Sequence, residues 1–401
     1  MRFSALPTLA ALVAPFLVSA APVKRTASAN DMLVLQFAHV LEQLETQFYS
    51  QALQKFQESD FVSAGFAEAQ VAIEQFTAIQ TDEATHVTVL ESTITSLGGT
   101  PISTCSFNFD SVLTDVATMA PVARVVENLG VAAYLGAAHL IDDPVLLTAA
   151  ASILTVEARH QTILNIFNQG SAIPSAFDIP FTPSEVLAVA SSFISGCDLG
   201  VPANPSLSIT NTGAVAPGTA LTFSSQAING STDGLFCQML VGGAPFSISL
   251  PFNQCVVPDG INGPVAIFVT SDSQPLNNNV RDQATDKIVA GPTMAFIDTV
   301  KETIGQLARG SAASGSSGSS TATASTSATT TTISGAEASS IIASAAGSSA
   351  AAQPTATAGA GPTNNAAGGA GIAPAGGPNT FTGPVNGGAI TVTGWSTVPS
   401  A

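Results

Sequence analysis

The stretch Leu41-Glu42-Gln43-Leu44-Glu45-Thr46-Gln47-Phe48-Tyr49, followed by Asp82-Glu83-Ala84-Thr85-His86, decides the fold, because the chain writes its skeleton twice. Glu127 is followed seven residues on by Tyr134, and Glu157-Ala158-Arg159-His160 then repeats the Glu-x-x-His spacing. In a helix, residues three apart share a face about one turn apart, so each Glu and His pair can point at a single ion. Seven residues is two turns, so each Tyr lies on the face of the Glu before it. One Glu from each of two helices, with Glu-x-x-His from each of the other two, makes a six-ligand set for a two-metal centre inside a four-helix bundle.

The bland alternative is solvated residues on helix faces, and with 27 Asp and Glu in the chain a single Glu-x-x-His would carry little weight. The repeat, however, uses two of only four His and both Tyr. Tyr49 and Tyr134 are placed to hydrogen-bond a ligating carboxylate from behind; the competing role for each is core filler. Glu45, one turn from Glu42, competes for the first ligand position. The repeat favours Glu42, since the second half fixes the Glu-to-Tyr spacing at seven. His39 and His139 have no counterparts in the other half and fall outside the set, His39 being a candidate for a supporting hydrogen bond. Carboxylates with imidazoles suit iron or manganese, and thiolates are absent from the set. Glu42, Glu83, Glu127 and Glu157 carry four negative charges, enough to balance two divalent ions per chain.

Composition varies along the 401 residues. Residues 1–20 read as a signal peptide, with Arg2, an apolar run from Leu6 to Val18 and a small-residue cleavage site at Val18-Ser19-Ala20. Residues 21–29 then read as a propeptide ending in the bundle, with Lys24-Arg25 either a dibasic processing site or a chance pair. Export implies an oxidising compartment and so two disulfides, for which the spacing favours Cys105 with Cys197 and Cys237 with Cys255 over free thiols. A formal charge of -17, with 10 Lys and Arg, excludes a nucleic-acid backbone as partner. Beyond the signal no apolar run is long enough to span a membrane, which predicts a soluble or wall-associated mature protein.

Helices are expected from Asn30 to Phe56, from Ser59 or Asp60 to Gly98-Gly99, from Pro121 to about Leu140, and from Asp143-Pro144 to near Gly170. A long crossover, with a short helix over Asp110 to Thr118, links the two halves. A fifth helix opens with the capping box Thr182-Pro183-Ser184-Glu185 and runs on toward Cys197. The fold class is thus all-α over 30–200, followed by a small β-sandwich-like module over 201–271 and a helical or irregular linker over 272–309, with helix expected from Asp282 to Leu307. Asn229-Gly230-Ser231 in the module is a glycosylation acceptor that a turn would expose. Residues 310–401 are rich in Ser, Ala, Thr and Gly, which predicts a disordered and O-glycosylated stalk.

On the strength of Leu41–Tyr49, Asp82–His86, Glu127 with Ala133-Tyr134-Leu135-Gly136-Ala137, and Val156-Glu157-Ala158-Arg159-His160-Gln161, the chain resembles the fungal secreted ferritin-like domain proteins. These belong to the ferritin-like superfamily and are related to stress-response and desiccation-related proteins. The resemblance implies a ferritin-like four-helix bundle with a di-metal centre; the reading drawn from the ligand set beside it is a secreted di-iron or di-manganese protein that oxidises ferrous ion or consumes peroxide during stress. The appended β module departs from storage ferritins and argues against bulk iron storage in a cage. A reading from another class stays beside it: a non-catalytic cell-wall-associated structural or binding protein, in which the bundle is a scaffold and the module and stalk meet wall polysaccharide.

Overall fold

The computed structural model describes residues 27–310 together with the backbone of two strands, 380–385 and 388–393. The signal peptide, Lys24-Arg25 and the rest of the Ser/Thr-rich tail lie outside the described residues. The bundle opens with α1 (Ala29–Lys55), which starts one residue before the predicted cap. Ser28 takes the N-cap position, and its hydroxyl and the Asp31 carboxylate satisfy each other's backbone N–H at 3.0 Å each.

The second expected helix is broken in two, α2 (Glu58–Ser63) and α3 (Ala69–Ser96). Gly65 adopts φ +90°, which ends the first piece, and the reversal turns Phe66 back against Phe61 in the core. The third, α4 (Val116–Ala137), begins five residues before Pro121 because the Asp115 side chain accepts from Thr118 N at 2.7 Å. Pro121 therefore sits in the second turn, where it forgoes one intrahelical hydrogen bond. The short helix expected over Asp110 to Thr118 shrinks to a turn leading into α4. Asp143 caps α5 (Pro144–Phe167), and the capping box of Thr182 and Glu185 opens α6 (Pro183–Ala190) as expected, although α6 stops well before Cys197.

α1 packs chiefly on α3 and α4 on α5, so the bundle is two helical hairpins face to face. The long link between them is tied down by β1 (Ser106–Phe107), which pairs antiparallel with β2 (Ile194–Ser195). The Cys105–Cys197 disulfide, S–S 2.03 Å, lies beside that pair. Cys237 joins Cys255, as the spacing favours.

After α6 come β3 (Ser208–Ile209), paired with β4 (Phe223–Ser224), and then a four-stranded antiparallel sheet of β5 (Phe236–Val241), β6 (Ile248–Pro251), β7 (Gly263–Thr270) and β8 (Ile288–Ile297) in the order β6-β5-β7-β8. Here the structure corrects the expected boundaries. The module does not end at Ser271, and the helix expected over Asp282 to Leu307 is mostly β8, with only α7 (Thr303–Arg309) helical. Ile288-Val-Ala-Gly-Pro-Thr-Met-Ala-Phe-Ile297 is rich in β-branched and aromatic residues and carries a Gly-Pro pair, which a helix interior rejects and a strand at a sheet edge tolerates.

Alternation along β7 positions the module. Val265 and Ile267 face a small core of the module itself, with Cys237, Met239 and Ile297, whereas Ala266 and Phe268 join the main core of the bundle. The Phe181 ring meets Phe268 edge-on at 6.4 Å, and α6 lies against β8. Arg124 of α4 adds a polar clamp. Its buried guanidinium donates to both Asp298 oxygens at 2.7 and 2.8 Å and to Asn165 Oδ1 at 2.7 Å, and it stacks 4.0 Å from the Phe296 ring centre. Asn229 is exposed. Among the described residues no helix is long and apolar enough to cross a membrane. In a separate compact unit, β9 (Thr380–Val385) and β10 (Gly388–Thr393) pair as an antiparallel hairpin, an element the tail's composition does not announce.

Phe268 has no exposed surface, so Phe268→Ala is expected to cost about 3–5 kcal/mol in denaturant unfolding of the oxidised chain.

Candidate metal centre

The helix faces that carry the repeat meet in the middle of the bundle, and all six side chains are buried there: Glu42, Glu83, Glu127 and Glu157 have no exposed surface. Their ligand atoms form two overlapping groups, each with atoms within 4.8 Å of one another. Glu42, Glu83, His86 and Glu157 make one; Glu83, Glu127, Glu157 and His160 make the other. Glu83 and Glu157 belong to both groups, while Glu42 with His86 and Glu127 with His160 stand at the two ends.

His86 turns Nδ1 inward, 3.0 Å from Glu42 Oε2 and 3.0 Å from Glu83 Oε2. His160 does the same, with Nδ1 3.1 Å from Glu127 Oε2 and 2.8 Å from Glu83 Oε1, the second contact lacking hydrogen-bond geometry. Behind His160, Nε2 lies 3.2 Å from Asp82 Oδ2. That carboxylate, with a half-exposed side chain, fixes the ring so that the inner nitrogen faces the cluster. Asp82 stands beside Glu83 in the sequence, yet its partner on α5 is visible only once α3 and α5 are brought together.

Tyrosines cross between the halves. Tyr49 of α1 donates to Glu127 Oε1 of α4 at 2.6 Å, and Tyr134 of α4 donates to Glu42 Oε1 of α1. Each therefore steadies the carboxylate of the opposite hairpin rather than the Glu two turns before it. His39 is buried and accepts from Gln43 Nε2 at 3.1 Å, outside both groups; His139 is exposed. Glu45 is also buried, so the structure places it inside the bundle along with Glu42.

Burial pushes Glu42 up to about 8, and it raises Glu127, Glu157 and Glu45 as well, with the neighbouring carboxylates adding to the rise. Burial would raise Glu83 too, but the imidazoles of His160 and His86, 2.8 and 3.0 Å from its oxygens, win and hold it at about 2. Burial alone would lower the two imidazoles. Their carboxylate partners instead bring His86 up to about 10 and His160 to about 11. Protons thus stand in for cations at the centre of the metal-free chain. They do so incompletely, since both oxygens of Glu157 are buried without any hydrogen-bond partner. Unpartnered carboxylate oxygens converging with imidazole nitrogens fit a hard or borderline cation, and the oxygen and nitrogen donors suit iron or manganese.

Residues 30–169 match the family model described as the ferritin-like domain. The helical segment is a ferritin-like domain. Its buried Glu and His cluster is compatible with metal binding. No match was found among curated proteins.

Two outcomes are expected of this ferritin-like centre. Tyr49→Phe leaves Glu127 Oε1 without its donor and should destabilise the metal-free chain by about 1–3 kcal/mol in chemical denaturation. In that same metal-free state the raised carboxylates hold protons above their ordinary value of 4.5, and the raised imidazoles hold theirs above 6.5. The folded chain then binds more protons than the unfolded chain, so this contribution to stability is present at acid pH and is lost as pH rises toward 8 to 10. Glu83 runs oppositely, its contribution being present above 4.5 and lost as pH falls toward 2. Unfolding free energies measured at pH 5 and pH 8 should accordingly fall by about 1.4 kcal/mol per pH unit for each extra proton held.

Proposed function

We propose that the bundle binds two iron or manganese ions per chain through Glu42, Glu83, His86, Glu127, Glu157 and His160, with Glu83 and Glu157 shared between the two positions. The observation that carries this reading is the pair of overlapping, buried ligand groups, whose shared residue Glu157 has no hydrogen-bond partner for either oxygen and only the more distant imidazole of His86, at 3.9 Å, beside it. Such an ion pair, when bound, supplies Lewis-acid and redox chemistry to small oxygen species. The reaction class we assign is oxidation of ferrous ion or consumption of peroxide, in an exported protein of the stress-response kind.

The chain's own residues divide the remaining work. Tyr49 and Tyr134 hold the end carboxylates in place, and Asp82 orients His160. Since the raised groups must give up protons to a cation, metal affinity rises with pH over the window in which the metal-free fold weakens. Tyr49, Phe48 and Phe76 pack together as buried rings at that end of the bundle, a low-dielectric setting in which charge interactions are strong. Export and glycosylation at Asn229 belong to the same proposal, supported by the two disulfides and the exposure of that residue.

Elemental analysis of protein purified from its culture medium without chelator is the test. We expect close to two iron or manganese ions per chain, lost together in a Glu83→Ala, His86→Ala double variant that still folds. A folded wild-type chain that takes up neither ion when both are supplied would instead favour the wall-associated scaffold, with polysaccharide as the ligand to assay.

A further inference from the structure

The two halves of the centre differ at one position. Three residues after the first Glu of the repeat, α1 carries Glu45, whereas α4 carries Gly130. Glu45 is 4 % exposed and takes no part in the hydrogen bonds and ion pairs that the two imidazoles make with the cluster. Gly130 is equally informative. A Cβ built there would lie 2.3 Å from Glu157 Oε2 and 3.1 Å from Glu45 Oε1, so any other side chain would have to displace the Glu157 carboxylate and crowd that of Glu45. The second half lacks its own side chain at the very point where the side chain from the first half arrives.

Glu45 and Glu157 thus bring carboxylates toward one another from different helices, α1 and α5, with neither oxygen of Glu157 hydrogen-bonded and only His86, at 3.9 Å, paired with it. Two buried carboxylates so arranged need a cation or a shared proton between them. Glu157 belongs to both ligand groups and Glu45 stands just outside them, so a cation drawn between Glu157 and Glu45 would be one of the two ions of the centre rather than a third, with Glu45 closing on it.

We propose that Glu45 is a fifth carboxylate ligand, supplied by α1 alone, and that it makes the two metal positions unequal. The inference rests on the six-ligand reading and extends it. Four carboxylates balance two divalent ions; the fifth adds a charge that only one position receives. Glu45 therefore sets which ion binds first, and Gly130 leaves the space in which Glu157 and Glu45 meet.

The experiment is calorimetric titration of the metal-stripped full chain with manganese(II) at fixed pH, comparing wild type with E45Q, with circular dichroism confirming the fold. Wild type should bind two ions in resolved steps. E45Q, which keeps size but removes charge, should weaken one step by about tenfold or more and leave the other within about twofold. E45D, which keeps the charge but withdraws it by one methylene, should weaken the same step, and it replaces E45Q under the same criterion if that variant does not fold. Manganese electron paramagnetic resonance of the singly loaded protein reads the same difference without turnover, as an altered spectrum of the first-bound ion. Two binding steps unchanged in a folded E45Q chain would overturn the role of Glu45, leaving it to share a proton with Glu157, while the six-ligand reading stands. A wild-type chain that binds no ion would overturn both.

Discussion

Concentrated negative charge at the middle of a bundle is the constraint on which the structure depends. Four carboxylates of the repeat are buried against only two imidazoles, Glu45 is buried on the same helix as the first of them, and no lysine or arginine approaches them among the described ion pairs. Desolvated like charges are tolerated only with protons or cations between them. The fold meets this need locally, with tyrosines from behind and imidazoles from the side, and rigidly, with a phenylalanine-rich cluster running through Phe48, Phe61, Phe76, Phe109 and Phe167. A bundle that could relax would simply let water in. The aromatic packing is what keeps the charge problem from being solved by hydration.

Features that depend on chain-local geometry are legible in the sequence. The Glu and His spacing, the Glu-to-Tyr interval, the Thr182 capping box and the pairing of nearby cysteines all follow from helix periodicity, cap chemistry or short loops. What escapes is decided elsewhere in the molecule. The Tyr49 and Glu127 hydrogen bond joins residues on opposite hairpins, and the sequence interval alone places Tyr49 with Glu42. Asp82 and Gly130 draw their meaning from neighbours on α5, which no window on α3 or α4 contains. Residues 282–307 were misleading for another reason: apolar residues at mixed spacing fit a helix face until β7 is present to pair with them. The interruption at Gly65 likewise shows its purpose only when Phe66 is seen buried against Phe61 and Phe167.

The β module is more than an appendage hung on the bundle. Through Phe268 and Ala266 it contributes to the same apolar core as α1 and α4, and through Asp298 it neutralises the one buried arginine of α4. Arg124 lies one turn before Glu127, on the helix that also carries Gly130 and Tyr134. The module consequently braces α4, and with it one end of the buried Glu and His cluster.

The crossed tyrosines carry a further meaning. An isolated α1 and α3 hairpin would hold one donor without its acceptor and one acceptor without its donor. Two identical hairpins related by a twofold axis would satisfy both at once, since each would offer the other the same surface. This bundle is, in that sense, a symmetric dimer written into one polypeptide, and the long connection over 97–115 is the covalent join that such a merger requires. The join also confers a freedom that a true homodimer lacks. A substitution in one half is no longer imposed on its twin, and Glu45 facing Gly130 is a pair that only a fused chain can hold.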